Sequence, residues 1–248
     1  MKCAFITGAS RGIGREIAFA LSEIGFRCIL VATSKQKLEA VAQELTTRFH
    51  LAPSAEPLIF PLDVSRPQEV ENADKEAQAK THSFDVLFNG AGIARSGTSE
   101  LSYEDLLDML NINCVGTFNC IRSIVPYMKK ARSGYIFNVS SRAGKIGIST
   151  IGGYAASKFG VAGLSESLFN ELVSYGIKVT TLFPGYVKTD MASGRSSIAD
   201  EDKIPTSDIA KTVLFLLSLS SNCYIKEIMP ECRKTLELMN EALLKGKT

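Results

Sequence analysis

Two side chains near the middle of the sequence, Tyr154 and Lys158, have the types and the spacing of an acid–base pair. Residues four positions apart lie on one face of a helix, one turn from each other. A free phenol loses its proton at about pH 10, and a neighbouring ammonium group favours the phenolate. The pair therefore predicts a tyrosine that exchanges a proton with a substrate, beside a lysine that lowers its pKa. The alternative is a half-buried aromatic residue beside a solvated lysine.

The composition is that of an ordinary soluble globular protein. Of the 248 residues, 45% are hydrophobic and 22% are charged, and the formal net charge of +2 gives no reason to expect nucleic-acid binding. No apolar run reaches the roughly 18 residues that span a bilayer, and the N-terminus enters a glycine turn too early for a signal peptide. Six cysteines without a C-x-x-C pair predict free thiols in a cytoplasmic protein and no metal site.

A strand, a glycine-rich turn and a helix follow one another at the N-terminus. The segment Thr7 to Gly14 reads T-G-A-S-R-G-I-G, and it lies between an apolar run and a helical pattern that Gly25 closes. Glycines let the backbone approach a ligand, and the unpaired N–H groups of a helix N-terminus favour an anion. We therefore expect the pyrophosphate of a dinucleotide to bind here, through Gly8, Ser10, Arg11, Gly12, Ile13 and Gly14. A simple tight turn is the alternative.

Strands alternate with helices along the rest of the chain, which predicts an α/β fold with a parallel sheet. No linker or change in composition marks a boundary, so we expect a single domain over residues 1–248. The expected strands are 3–7, 27–32, 58–62, 84–89, 135–140, 177–183 and 224–229. After the first helix, the expected helices are about 35–47, 68–80, 104–128, 154–175 and 208–219, followed by an amphipathic stretch at about 232–244.

The end of the second strand favours one cofactor over another. An NAD site usually carries an acidic residue there for the ribose 2′-hydroxyl, whereas this chain continues from Ala32 into Thr33, Ser34 and Lys35. Small hydroxyls and a lysine, together with Arg11 from the glycine turn, suit a 2′-phosphate. We therefore expect NADP(H), with NAD(H) as the less favoured cofactor.

Residues after the third and fourth strands are further candidates for cofactor contacts. Asp63 is placed to accept a hydrogen bond from the adenine amino group, although it would serve equally as a helix cap. Asn89, Gly90, Ala91 and Gly92 follow the next strand, where small residues would let the backbone lie against the cofactor. A glycine-rich turn without a binding role is the alternative for that segment.

The second half of the chain supplies the candidates for the reacting centre. Asn113 stands inside a helical pattern, where asparagine is mildly unfavourable and marks a bend or a bound water. Ser141 follows a strand on the side of a parallel sheet where ligands bind, with enough chain before Tyr154 for its hydroxyl to fold back beside the phenol. Capping of the strand end is the alternative for Ser141. The polar stretch 191–203 is expected to be a mobile loop near the site.

Taken together, these motifs resemble the short-chain dehydrogenase/reductase family of the single-domain, NADP-preferring type, over nearly the whole chain. The Thr7–Gly14 turn resembles the family's cofactor turn, and Asn89–Gly92 resembles its N-N-A-G segment, with Gly90 where the family usually has Asn. The family's catalytic tetrad is matched in order and spacing by Asn113, Ser141, Tyr154 and Lys158. Its nicotinamide-carboxamide loop is matched by Pro184, Gly185, Val187 and Thr189.

The resemblance implies a doubly wound Rossmann sheet of seven strands in the order 3-2-1-4-5-6-7, with helices on both faces. In this reading Ser141 holds a substrate carbonyl, Tyr154 donates the proton, Lys158 binds the nicotinamide ribose and Asn113 holds a relay water. It also implies a homodimer or homotetramer through the helices of Asn113 and Tyr154. The segment Ile225 to Pro230 departs from the glycine-containing ending of many members.

The expected activity is NADPH-dependent reduction of a ketone or aldehyde, such as a 3-oxoacyl or a small carbonyl compound, or the reverse oxidation. The expected partner is this small molecule, with no nucleic acid and no membrane. One alternative is a redox-inactive protein that binds NADP(H) as a sensor or scaffold, although such a protein has no use for Ser141 and Tyr154 together. A nucleotide-sugar epimerase or dehydratase would share the Tyr–Lys pair but needs a longer chain.

Overall fold

The seven strands form one parallel sheet in the order β3-β2-β1-β4-β5-β6-β7. The structure is a computed structural model, and it describes residues 1–192 and 198–245. The strand order reverses beside β1, which makes this a single Rossmann-like domain and confirms the predicted doubly wound fold. The strands are β1 Cys3–Thr7, β2 Arg27–Ala32, β3 Leu58–Pro61, β4 Val86–Asn89, β5 Gly134–Val139, β6 Ile177–Leu182 and β7 Glu227–Ile228.

Helices cover both faces of the sheet. On one face Ile17, Leu38 and Val213 of α1, α2 and α7 pack in a single core, and on the other Val70 and Ile124 of α3 and α5 pack with residues of α6. The helices are α1 Gly12–Glu23, α2 Lys35–Phe49, α3 Pro67–Thr81, α4 Tyr103–Met109, α5 Gly116–Ala131, α6 Gly152–Leu172, α7 Thr206–Ser218 and α8 Arg233–Lys245.

The central strands read as continuous apolar runs because both of their faces are buried. Successive side chains of a strand point to opposite faces, so Ala4 and Ile6 of β1 join one core while Cys3 and Phe5 join the other. Several candidate site residues directly follow these strands, at the carboxyl edge of the sheet.

Several element boundaries differ from the sequence-based expectation. The helix expected over 104–128 contains a π-helical turn at Leu110–Val115 between α4 and α5. Strand β4 begins at Val86, and β7, which pairs only with β6, has two residues. Helix α6 begins at Gly152 and so includes both glycines that were expected to precede it. A Cβ on Gly153 would lie 2.2 Å from Leu101 Cδ2, so glycine permits the close packing of α6 at this position.

No helix in the two described ranges is long and apolar enough to cross a bilayer.

Candidate active site

The turn between β1 and α1 is shaped by glycines that no other residue replaces without strain. Gly8 and Gly12 have positive φ angles of 70° and 55°, and a Cβ on Gly14 would lie 2.3 Å from the carbonyl oxygen of Gly8. The residue that caps α1, Arg11, makes no side-chain cap hydrogen bond. The turn is therefore a concave backbone surface with the N-terminus of α1 beside it, which fits the pyrophosphate of a dinucleotide.

Thr7 connects this turn to the segment after β4. Its hydroxyl accepts hydrogen bonds from the backbone N–H groups of Gly90 and Ala91, at 3.0 and 3.1 Å. A Cβ on Gly90 would lie 2.7 Å from the Phe88 ring and 2.9 Å from the carbonyl oxygen of Thr7, so this position has no room for a side chain. Sequence reasoning did not select Thr7 as a site residue, although a threonine at the last position of β1 was the available signal.

The tip of β2 lies next to the glycine turn, because the N–H of Ala9 donates to the carbonyl of Val31 at 3.1 Å. Ser34, one of the residues predicted to contact a 2′-phosphate, caps α2 by accepting from the N–H of Lys37 at 3.4 Å. Thr33 precedes it beyond the end of the strand. Arg11 pairs with Asp190 at 3.1 Å, and both side chains are exposed. In this arrangement the guanidinium of Arg11 therefore binds a carboxylate after the sixth strand.

The side chains of two other predicted cofactor-binding residues, Asp63 and Asn89, make hydrogen bonds within the protein. The Oδ1 atom of Asp63 accepts from the backbone N–H and the hydroxyl of Ser65, at 2.9 and 2.8 Å, in a turn ahead of α3. The helix-cap alternative for Asp63 is wrong, because the residue that caps α3 is Arg66. The side chain of Asn89 is buried and donates to Asn138 Oδ1 at 2.8 Å. The Asn89 side chain therefore joins β4 to β5. Within the segment after β4, Ala91 and Gly92 are the residues still expected to place backbone against the cofactor.

Asn113 lies in the π-helical turn and fastens three parts of the site together. Its Nδ2 donates to the carbonyl of Ile93 and to Ser157 Oγ, both at 2.9 Å, and its Oδ1 accepts from the N–H of Ile93 at 2.8 Å. A Cβ on Gly92 would lie 3.1 Å from this Oδ1 and 3.5 Å from Lys158 Nζ. Single π-helical turns within α-helices are frequent at functional sites, and this one turns a buried asparagine toward α6.

Ser141 and Tyr154 come together as predicted, and the Ser141 side chain is placed to hydrogen-bond to the phenol. The Ser141 hydroxyl also accepts from the N–H of Ala143 at 3.1 Å and so caps the short 3₁₀ turn Arg142–Gly144. Burial raises the pKa of Tyr154, and the hydrogen bond from Ser141 offsets part of that rise. Ser141 therefore both caps this turn and lies beside the phenol, while its catalytic role stays a prediction.

Lys158 is 4% exposed, and its Nζ donates to the carbonyl of Val139 at 2.9 Å. Burial lowers the pKa of Lys158 to about 8. The same Nζ lies 5.7 Å from the centre of the Tyr154 ring. The prediction that Lys158 lowers the pKa of Tyr154 differs from what the structure shows, since the phenol pKa is raised and its hydrogen-bonding partner is Ser141.

The loop after β6 runs from the reacting centre to the glycine turn. The carbonyl of Pro184 accepts from the N–H of Arg142 at 3.1 Å, and the N–H of Gly185 donates to the carbonyl of Pro230 at 2.8 Å. Val187 forms an isolated parallel bridge with Ile204. A Cβ on Gly12 would lie 3.1 Å from the methyl carbon of Thr189. The four residues predicted for a nicotinamide loop therefore connect the two halves of the site.

The stretch 191–203, expected to be a mobile loop, falls partly outside the described residues, since 193–197 are not among them. After that gap the buried Lys203 donates through Nζ to Asp200 Oδ1 at 2.7 Å and to the carbonyl of Ala192 at 3.2 Å. Within residues 1–192 and 198–245 no three His, Cys, Asp or Glu side chains are grouped to hold a metal ion.

Comparison with known proteins agrees with this geometry. The family model of the short chain dehydrogenases matches residues 2–199. The chain is 38% identical over 228 residues to a 3-oxoacyl-[acyl-carrier-protein] reductase of Staphylococcus aureus, covering 88% of this chain and 91% of that protein.

Two solved structures extend the likeness to the fold. A betaketoacyl-[ACP] reductase from Bacteroides thetaiotaomicron superposes with a TM-score of 0.84 at 36% identity, over 95% of this chain and 98% of that one. An alcohol dehydrogenase from the archaeon Thermococcus sibiricus, complexed with 5-hydroxy-NADP, superposes with a TM-score of 0.86 at 29% identity, over 94% and 97% of the two chains. The chain therefore belongs to the short-chain dehydrogenase family and is an oxidoreductase of that family.

Proposed function

We propose that this protein reduces a ketone or aldehyde to an alcohol with NADPH, or catalyses the reverse oxidation. The observation that carries the proposal is the placement of Ser141 beside Tyr154, with the buried Lys158 one helical turn away and its Nζ 5.7 Å from the centre of the Tyr154 ring. This arrangement stands at the carboxyl edge of the sheet, and Gly12 and Thr189 connect that edge to a glycine turn that fits a dinucleotide. The proposed catalytic residues are those of the sequence prediction, Asn113, Ser141, Tyr154 and Lys158.

In the proposed reaction the side chains hold the carbonyl and supply the proton. Bound NADPH would supply the hydride. The Ser141 hydroxyl would donate a hydrogen bond to the carbonyl oxygen, and Tyr154 would donate its proton to the same oxygen as negative charge develops there. The raised pKa of Tyr154 favours this role, because the phenol stays protonated at neutral pH.

Lys158 and Asn113 would support that proton transfer. The pKa of Lys158, lowered to about 8, makes its ammonium group an accessible proton source, and Lys158 would also bind the nicotinamide ribose. Both N–H bonds of the Asn113 amide are used within the protein. A relay water would therefore bind an oxygen of Asn113, either the side-chain Oδ1 or the backbone carbonyl oxygen. The backbone carbonyl oxygen also accepts a hydrogen bond from the Thr117 hydroxyl at 2.8 Å.

For the substrate, we favour a 3-oxoacyl thioester over a small carbonyl compound. Support comes from the relatives named as 3-oxoacyl-[acyl-carrier-protein] and betaketoacyl-[ACP] reductases, which align over most of this chain. A redox-inactive protein that only binds NADP(H) is the alternative, and the placement of Ser141 beside Tyr154 opposes it, since a protein that only binds the nucleotide has no use for these two residues together.

For the cofactor, we favour NADP(H) because no acidic residue follows Ala32 at the tip of β2. The neighbour from Thermococcus sibiricus, complexed with 5-hydroxy-NADP, supports this choice. Binding of a 2′-phosphate by Arg11 would require its exposed pair with Asp190 to open, and exposed pairs of this kind contribute little stability.

We also propose that two copies associate through the helices that hold Asn113 and Tyr154. Large apolar side chains are exposed there, Val115 at 41%, Phe118 at 46% and Phe159 at 45%. Exposed apolar patches of this kind mark interaction surfaces, and light scattering would give the mass in solution.

The cellular location and the domain extent also stay proposals. All six cysteines are free, which supports the expected cytoplasmic location. We propose that residues 1–248 form one domain.

The test of the function is a fluorescence titration with NADPH and with NADH, followed by a carbonyl panel read by the absorbance of the reduced nicotinamide. We expect tighter binding of NADPH and turnover of a 3-oxoacyl thioester. Ala32→Asp should move the preference toward NADH by about tenfold or more, since a carboxylate accepts from the 2′-hydroxyl and repels the phosphate. Binding of NADPH without turnover of any panel member would favour the sensor alternative, and binding of neither nucleotide would overturn the proposal.

A further inference from the structure

The residue directly after Ser141 makes an enclosed ion pair with the C-terminal segment. Arg142 Nε lies 3.3 Å from Glu231 Oε1, and the two side chains are only 16% and 18% exposed. A second guanidinium nitrogen of Arg142 contacts Sδ of Met239 in α8. Most ion pairs of the described residues are more exposed than this one, as in Lys145–Glu227 at 38% and 33%.

The turn that begins with Arg142 is held by the backbone on its other sides. The N–H of Arg142 donates to the carbonyl of Pro184 at 3.1 Å. A Cβ on Gly144 would lie 2.3 Å from Ser140 Oγ and 2.7 Å from the carbonyl oxygen of Lys158, so the turn presses directly on α6. The side chain of Arg142 adds a contact with Glu231, in the segment after β7. The contacts of Arg142 therefore connect the segments that follow β5, β6 and β7, beside the Ser141 hydroxyl.

Glu231 is an unfavourable residue to place there unless its charge has a use. Its Oε2 is buried and has no hydrogen-bond partner among the described residues. This oxygen would lie 3.1 Å from a Cβ on Gly185, in the loop predicted to contact the nicotinamide. Because desolvation of a partly satisfied ion pair offsets much of its attraction, such a pair is weak evidence of stabilisation. The segment also lies beyond residues 2–199, which the family model matches.

We propose that Arg142 and Glu231 form a positioning pair that fixes the Ser141 turn against Tyr154. The inference rests on the proposed function, since it concerns the same reacting centre. Neither side chain acts on the substrate. Glu231 holds the guanidinium of Arg142, and Arg142 in turn holds the backbone that places the Ser141 hydroxyl for the hydrogen bond with Tyr154.

The test compares two charge-neutralising variants at the same edge of the sheet. Glu231→Gln keeps the shape of the side chain and removes its charge, and Glu227→Gln does the same for the more exposed pair with Lys145. For Glu231→Gln we expect kcat to fall by about 10- to 100-fold, because small displacements of a positioned catalytic group have effects of this size. The Kd for NADPH should stay within about twofold, since the glycine turn is held by separate contacts. Glu227→Gln should leave both constants close to wild type.

A pH profile separates positioning from a general loss of structure. The hydrogen bond from Ser141 lowers the pKa of Tyr154, so its weakening in Glu231→Gln should move the tyrosine limb of the kcat profile to higher pH. Arg142→Lys, which keeps the charge but loses the forked geometry, should lie between wild type and Glu231→Gln, and it serves as the second variant if Glu231→Gln fails to fold.

Wild-type kcat in Glu231→Gln, or equal losses of kcat and NADPH affinity, would overturn the inference. A wild-type protein that turns over no carbonyl compound would contradict the proposed function instead. In that case the pair is tested by the tyrosinate difference spectrum of Glu231→Gln against wild type, where an upward shift of one tyrosine pKa is expected and an unchanged spectrum would contradict the pair's role.

Discussion

The two halves of the site are built in opposite ways. The turn after β1 is defined by missing side chains, since Gly8 and Gly12 have positive φ angles and a Cβ on Gly14 would meet the backbone of Gly8. The reacting centre is defined by side chains that are present, buried and hydrogen-bonded, such as Asn113 and Lys158. The first half should therefore be sensitive to the addition of atoms, and the second to a change of functional group with the shape retained.

The largest effect is expected in the reacting centre, for Tyr154→Phe. Loss of the phenol oxygen removes the proposed general acid, so kcat should fall by about 10²- to 10⁴-fold. The ring is retained, so the Kd for NADPH in a fluorescence titration should change little. Tyr175→Phe, just beyond the end of α6, is the matched control and should retain wild-type kcat. Retained turnover in Tyr154→Phe would remove this residue from the mechanism.

A smaller effect is expected in the glycine half, for Gly12→Val. A β-branched residue at a φ of 55°, with its Cβ 3.1 Å from the Thr189 methyl carbon, forces the turn to change shape. Strain of this kind corresponds to an increase of about 10- to 100-fold in the Kd for NADPH, measured by titration.

Gly25→Val is the control for Gly12→Val, because Gly25 also has a positive φ, of 85°, but has no atoms within 4 Å of its Cβ position. It should lower the melting temperature without changing the Kd for NADPH. Equal effects of the two variants on NADPH binding would show that the turn has no special part in it.

The smallest effect concerns stability, for Lys158→Met. Burial lowers the pKa of Lys158 to about 8, so the unfolded chain binds this proton more tightly than the folded one. The charged lysine therefore destabilises the fold at neutral pH, and this penalty disappears as the pH rises from about 8 toward the ordinary lysine value of about 10.4. The free energy of unfolding of Lys158→Met should exceed that of wild type by about 1–3 kcal/mol at neutral pH, and this difference should shrink at higher pH. Turnover should be lost.

Chemical denaturation at neutral pH and at about pH 10 measures this difference. Lys226→Met, at an exposed pair with Glu166, is the control and should leave the free energy of unfolding close to wild type at both values. If Lys158→Met is less stable than wild type at neutral pH, the hydrogen bond from Lys158 to the carbonyl of Val139 stabilises the fold by more than desolvation of the lysine charge destabilises it.

The sequence predicted the glycine half more completely than the reacting half, for a physical reason. A glycine turn is encoded locally, so the spacing from Gly8 to Gly14 was sufficient to predict the turn. The alternation of strands and helices was sufficient to predict a parallel sheet, while the strand order came from the resemblance to the family. The bonds of Asn89 and Arg11 depend on residues distant in the chain, Asn138 and Asp190, and no local pattern reports such pairs.

The reacting half shows the same limit. The spacing of Tyr154 and Lys158 predicted their shared helix face, but the pKa of the phenol depends on burial and on the direction of Lys158 Nζ, which bonds to Val139. Asn113 signalled an irregularity in its helix, and the structure resolves this as a π-helical turn. The pair of Arg142 and Glu231 joins residues that only the completed sheet brings together, so it had no signal in the sequence.

The strand order also has a consequence for how the molecule assembles. After β1, β2 and β3 have formed one side of the sheet, β4 pairs with the free edge of β1, and β5, β6 and β7 then each pair with the strand before them in the chain. During synthesis the dinucleotide turn is therefore complete long before the reacting centre, and the contacts of Arg142 with Glu231 and Met239, beside Ser141, form only after β7. A nascent chain released before β7 would carry the nucleotide surface without a finished catalytic edge, which couples competence for the reaction to completion of the polypeptide.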